Sequence, residues 1–257
     1  MLLLSSDQAA TLRDRFLPDR PGPLIGLHVV QTGCGACFAD HWPDPRATLV
    51  DTAGNYSLAG DPAGLSPPDL KGRVAGFVEA PEPFLALLRA TFGDPVVWDR
   101  VILDLPTATH VPRSSAAVVR RLGPDDAYHV WGLGPESNWI AKTWGGPAGL
   151  AASGTAWGAF VDGRLASVAC TFFRGERYED IGVAAEPEFR GLGLSGACAG
   201  ALCEDIRGRD RTPSWSTSPD NAASLRVAEK LGFALNRRDR LYVVGRSVPV
   251  PSHRPTG

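Results

Sequence analysis

Residues 178–208 carry the pattern that most limits what this chain can become. A run suited to a strand, Tyr178 to Ala185, leads through Glu186 and Pro187 into Arg190-Gly191-Leu192-Gly193-Leu194-Ser195-Gly196. A stretch rich in small residues follows, with Ala197, Ala199, Gly200 and Ala201. Together these read as a strand, a tight glycine turn and a helix. The first N–H groups of a helix have no partner inside it, so such a turn can face an anion. Glycine lets the backbone come close to the ligand, where a Cβ would hold it off. The same G-x-G-x-x-G marks dinucleotide loops, but there it opens the domain and a parallel sheet follows. Here the loop comes late, behind an antiparallel hairpin, with too little chain left for that sheet. The order argues against an NAD-dependent oxidoreductase.

The rest of the chain supplies alternating strands and helices. Ser5 to Leu17 carries a cap signal and helical spacing. Short apolar runs at 23–30, 36–40, 47–52, 56–60 and 73–80 read as strands of a mainly antiparallel sheet. Residues 81–93 have proline before the first turn and glycine at the end, the asymmetry of a helix. Residues 96–106 are strand-like again. Thr107 to Ala117, polar and broken by proline, is the expected linker. Beyond it come a strand at 117–122, helical stretches at 123–133 and 137–150, and a hairpin turned at Asp162-Gly163. A strand at 213–218, a capped helix at 220–233 and a strand at 234–245 complete the chain. The expected class is α/β, an α+β mixed sheet. The expected domains are residues 1–112 and 113–257.

Composition narrows the function. The formal net charge is −2 over 257 residues, so no global positive field recruits nucleic acid or anionic lipid. The apolar start, Met1 to Leu4, lacks a basic lead and a cleavage site, and no run is long enough to span a bilayer. The expectation is a cytoplasmic protein, monomer or homodimer, with no membrane partner. Cys34 and Cys37 form a C-x-x-C near His41, but a zinc site needs further ligands that the sequence does not offer. No metal is expected.

Two segments together resemble the GNAT (GCN5-related N-acetyltransferase) family. Residues 186–195 match its acetyl-CoA motif, R/Q-x-x-G-x-G/A, with Arg190 and Gly193 in the main positions and Ser195 where Gly or Ala is usual. Asn221 to Phe233 match its second hallmark, a helix ending in Glu-Lys-Leu-Gly-Phe. The resemblance covers roughly residues 117–245. The N-terminal half is compatible with a worn copy of the same fold, without a second phosphate loop. The resemblance implies a GNAT fold and acetyl-CoA as co-substrate. The implied cofactor contacts are Val183, Ala184 and Ala185 on a splayed strand, the turn from Arg190 through Gly191, Leu192, Gly193 and Leu194 to Ser195, and Asn221 with Ser224. Asn221 reads equally as a plain helix N-cap. The implied reaction is direct attack of a primary amine, on a small molecule or a peptide, in a ternary complex.

That reaction needs a neutral amine, so a base should lie near the acetyl group. The strand before the loop offers Glu179 and Asp180; Glu179 shares strand parity with Ile181 and Val183, the face that in the family looks toward the active site, and is the expected base. Many family members carry a tyrosine as general acid where this chain has Ala228. Tyr242 is the expected substitute, with Ser216 a further choice. A non-catalytic acyl-CoA-binding module is the alternative. Trp131, Trp139 and Trp144 fall in the stretch that in the family covers the acceptor, and read as core packing or as an aromatic pocket.

Overall fold

The structure is a computed structural model that describes residues 1–107 and 117–248. Apart from its two end residues, the expected linker lies outside the described residues. Among the described residues twelve strands form one sheet. They are β1 (Leu2–Leu3), β2 (Ala36–Ala39), β3 (Ala47–Thr52), β4 (Asn55–Gly60), β5 (Gly76–Glu79), β6 (Val96–Asp104), β7 (Val118–Arg121), β8 (Ala156–Val161), β9 (Arg164–Arg174), β10 (Tyr178–Ala185), β11 (Thr212–Thr217) and β12 (Ala234–Val244). The described residues also form eight α-helices: α1 (Ser6–Ala10), α2 (Ile25–Thr32), α3 (Pro67–Leu70), α4 (Leu85–Phe92), α5 (Ala127–Trp131), α6 (Pro147–Ala152), α7 (Leu194–Gly208) and α8 (Ala222–Lys230).

The sheet order is β1-β2-β3-β4-β5-β12-β6-β11-β10-β9-β8-β7. It reads alike from both ends. Neighbours are antiparallel except at two places, β4 with β5 and β10 with β11. Each half places two helices between its first two strands, one between its parallel strands and one before its last strand. The chain is therefore a tandem repeat. The last strands are exchanged. β6, from the first half, pairs with β11, and β12, from the second, pairs with β5. β6 and β12 pair with each other at the centre. The division near residue 112 separates two lengths of chain, whereas the sheet belongs to both.

Most elements follow from local chemistry. The hairpin β8–β9 turns at Asp162 (φ 49°) and Gly163 (φ 78°), the left-handed pair that matches strand twist. One expectation fails: the run at 23–30 is not a strand but lies mainly within α2. A continuous apolar run does not distinguish a buried strand from a buried helix. This helix buries Ile25, Leu27, His28, Val29 and Val30 and so shows no polar stripe. Gly33, at φ 70°, ends it in the left-handed conformation.

Two faces of the sheet carry different layers. On one, Val101, Leu103, Ile181 and Trp215 pack against Leu194, Cys198, Leu202 and Ile206 of α7. On the other lie α2 and the turn of helix Asn138–Trp144. His28 joins these two: its Nε2 donates to the Thr143 carbonyl at 2.9 Å, and its Nδ1 accepts from the Arg174 amide at 3.2 Å.

Candidate active site

β10 and β11 run parallel through four rungs, the last joining Ile181 to Trp215. Beyond it they part. Residues 182–185 keep their partners on β9 but have none on β11. Val183, Ala184 and Ala185 thus lie along a free edge at the mouth of a V. A ligand with amide groups can pair with such an edge as a strand would.

At the open end of the V the chain turns into α7. Gly191 (φ 83°) and Gly193 (φ 75°) are both left-handed, and a Cβ on either would meet nothing within 4 Å. Glycine is needed here for the backbone shape, and the space in front is open. The N–H groups of residues 191–196 find no acceptor among the described residues. Consecutive free amides at a helix start form an anion cradle. Arg190 anchors the turn through a 2.6 Å ion pair to Glu136. The Glu186 carboxylate accepts from the Gly134 amide. Leu192 is exposed and Ser195 is half-buried, its hydroxyl 3.5 Å from that of Ser167. The donor set fits the diphosphate and amide-bearing arm of an acyl-CoA.

The expected base does not fit its task. Glu179 is fully buried. Its carboxylate accepts from Arg209 and from Arg211, each at 2.8 Å, and from the Thr171 hydroxyl. Two guanidinium groups and a hydroxyl occupy both of its oxygens and leave neither open to a substrate. The parity argument grouped Glu179 correctly with Ile181 and Val183, but that face is the one α7 covers.

Asp180, the other acid of the strand, looks the other way. It is buried at the apex of the V. Its Oδ1 accepts from the Ser214 hydroxyl at 3.1 Å and the Ser216 hydroxyl at 2.9 Å. Its Oδ2 accepts no hydrogen bond among the described residues. Burial pushes the carboxyl up to about 6, against the pull of the serines and of the Arg100 and Arg237 charges. The first half reaches this spot: the Gly22 amide donates to Ser214 Oγ at 3.2 Å.

Tyr242 is corrected likewise. It is buried on β12 in the core of the first half, with Phe84, Leu88 and Val78. The strand exchange carries it away from the V. Ala228 is fully buried under Trp215 and Phe233, so the usual acid position holds no proton donor. Asn221 caps α8 by accepting from the Ser224 amide at 3.1 Å, and Ser224 Oγ accepts from Trp215 Nε1 at 2.9 Å. Both side chains brace the wall of the V. Trp144 is core, donating to the Thr171 carbonyl, whereas Trp131 is exposed and Trp139 packs on Phe172.

A V between parallel strands, a glycine turn at its mouth and a buried acid at its apex define an acyltransferase of one fold. A family pattern described as GNAT acetyltransferase matches residues 124–242. An uncharacterized N-acetyltransferase in the mutA 5′ region of Streptomyces virginiae is 43% identical over 197 residues, covering 76% of this chain and 83% of that protein. The uncharacterized N-acetyltransferase YdfB of Bacillus subtilis is 24% identical over 235 residues, 84% of this chain and 87% of that one. The chain belongs to the GNAT family and is an N-acetyltransferase. The family's donor is an acyl-CoA.

Two solved structures share the fold over more than nine tenths of the chain. A GCN5-related N-acetyltransferase-like protein from Streptococcus suis superposes with a TM-score of 0.70 at 18% identity, over 93% of this chain and 100% of that one. A tandem GNAT protein from the clavulanic acid biosynthesis pathway does so with a TM-score of 0.57 at 15% identity, over 96% and 99%. No helix of the described residues is long and apolar enough to cross a membrane.

Proposed function

We propose that the chain transfers an acetyl group from acetyl-CoA to the primary amine of a small molecule or peptide, by direct attack in a ternary complex. The observation that carries this reading is the buried Asp180 carboxyl at the apex of the V, with one oxygen held by two serines. The thioester supplies the activated acyl group. The free amides of residues 191–196 would hold the diphosphate, and the open edge of β10 the pantetheine amides. A lysine-like amine is mostly protonated at neutral pH, a penalty of roughly 4–5 kcal/mol. Asp180 takes that proton on Oδ2. The amine nitrogen then bonds to the acyl carbon as the carbon–sulfur bond breaks. The thiolate leaves and takes up, through water, the second proton that the nitrogen sheds as it becomes an amide, a mild demand for a thiol with a pKa of about 8.5. No tyrosine at position 228 is then required.

The test is thiol release with an amine panel, comparing wild type with Asp180→Asn. The variant should retain acetyl-CoA affinity and lose roughly 100-fold or more in kcat, the range of a positioned base. In wild type, kcat should rise with pH through about 6, as Asp180 loses its proton. An unchanged rate and the same acid limb in Asp180→Asn would remove Asp180 from the mechanism.

A further inference from the structure

Asp180 is not the only charged group on its face of the sheet. Cross-strand partners point to one side. Ser214 donates to Asp180, and Ser216 lies opposite Ile102 of β6. Arg100 is two residues from Ile102 on the same strand, so it shares that side. Ile102 faces Arg237 across the centre, and Arg100 faces Asp239. A row of side chains thus runs from Asp180 across β11 and β6 to β12, on the face opposite α7. Arg100 lies at the end of β6 that flanks the opening of the V.

Arg100 is unlike the other cations of this row. Arg237 is paired with Asp239 at 2.9 Å and also donates to the Pro21 carbonyl. The second Asp239 oxygen accepts from the Arg240 amide. The Arg100 guanidinium has no hydrogen bond or ion pair among the described residues. It is half-buried and stacks on Trp98, its Cζ 4.2 Å from the ring centroid. Trp98 in turn packs on Phe77 at 5.0 Å between centroids. The stack holds a planar fork of donors in place while leaving them unused. A fixed, partly desolvated guanidinium suits a carboxylate or phosphate, which it can bind through two parallel hydrogen bonds. Burial lowers it only to about 10, so it is charged at neutral pH.

We infer that the acceptor is an amine whose own chain carries an oxyanion, with the amine at Asp180 and the oxyanion on the Arg100 guanidinium. The inference rests on the transferase reading above. It makes Arg100 a specificity residue, supplied by the first half of the chain to a reaction in the second.

The test measures kcat/KM for a ladder of ω-amino carboxylates, each beside its ω-amino amide, with aminoalkyl phosphates as a further arm. Wild type should favour the anionic member of a pair by roughly 10- to 100-fold, the range of hydrogen bonds to a charged group. A preference confined to carboxylates or to phosphates names the oxyanion. Arg100→Gln should erase the preference through KM. It should leave the acetyl-CoA affinity and the melting temperature near wild type and bring the two members of each pair to equal kcat/KM, and Arg100→Lys should restore part of the preference. Equal rates on neutral and anionic partners in wild type overturn the inference and leave the transferase reading intact. A preference that survives Arg100→Gln overturns it too. Acetyl-CoA binding without thiol release for any amine sinks both.

Discussion

Replacing His28 with glutamine should flatten the acid limb of the stability curve. His28 is fully buried between α2 and the neighbouring helical turn, edge-on to Trp144 and Phe173. Burial lowers its pKa from 6.5 to about 4, and the Arg174 charge adds to the effect. The hydrogen bonds agree, because Nδ1 accepts the Arg174 amide and a proton there would set two donors against each other. The sign follows from proton counts. Between the two pKa values the unfolded chain binds a proton that the folded chain refuses. This contribution is therefore full above about 6.5 and is lost as the pH falls toward about 4. At about 1.4 kcal/mol per pKa unit the whole displacement is about 3 kcal/mol, of which roughly 2 is gone by about pH 5. Asp180 and Glu79, whose pKa values are raised, act in the opposite sense: their share is present at low pH and is lost as pH rises through about 6 and about 7. Those carboxyls are common to both proteins and cancel in the difference. His28→Gln should lower stability at about pH 8 by roughly 1–3 kcal/mol, through the unpaired Arg174 amide. Urea unfolding from about pH 8 to 5 should then show the gap closing by roughly 2 kcal/mol. Parallel curves across that range would refute the assignment of a neutral, proton-refusing His28.

Two further outcomes test the site and its frame. Gly193→Asp puts charge and a Cβ at a left-handed position in front of the free amides, and should weaken acetyl-CoA binding by two orders of magnitude or more by calorimetry; unchanged affinity would contradict the cradle. Glu179→Gln leaves Arg209 and Arg211 without their shared carboxylate and should cost roughly 3 kcal/mol in chemical denaturation, with kcat of the folded fraction near wild type; a loss of kcat with intact stability would return Glu179 to the chemistry.

The glycine turn was legible because its requirement is local. Two glycines at left-handed angles before a helix are needed whatever surrounds them. The Asp162-Gly163 hairpin was legible for the same reason. Helix α2 was not, because a segment buried on every side shows no period. The choice of Glu179 over Asp180 failed for a different reason. Alternation along a strand says which side chains share a face, but not which face a later helix will cover. Only the packing of α7 over Ile181 turns Glu179 into an anchor and puts Asp180 on the opposite face, beside Ser214 and Ser216. Tyr242 failed because the partner of β12 lies in the other half, a pairing that no local pattern encodes.

The strand exchange gives the first half a reason to persist. It keeps the outline of the second, including a half-buried carboxyl, Glu79, in register with Ser57 across its own parallel strand pair as Asp180 is with Ser214. Its helix between the parallel strands is much shorter: α3 has four residues where α7 has fifteen. Yet β6 covers the β11 edge that would otherwise stand open, and an open edge is a liability in itself. The same half sends the Gly22 amide to Ser214 and brings Arg100 to the face of Asp180. A domain that had merely decayed beside an enzyme would be free to drift away from it. One whose last strand lies inside the neighbour's sheet, and whose loop steadies the neighbour's acid, is bound to it by both folding and chemistry.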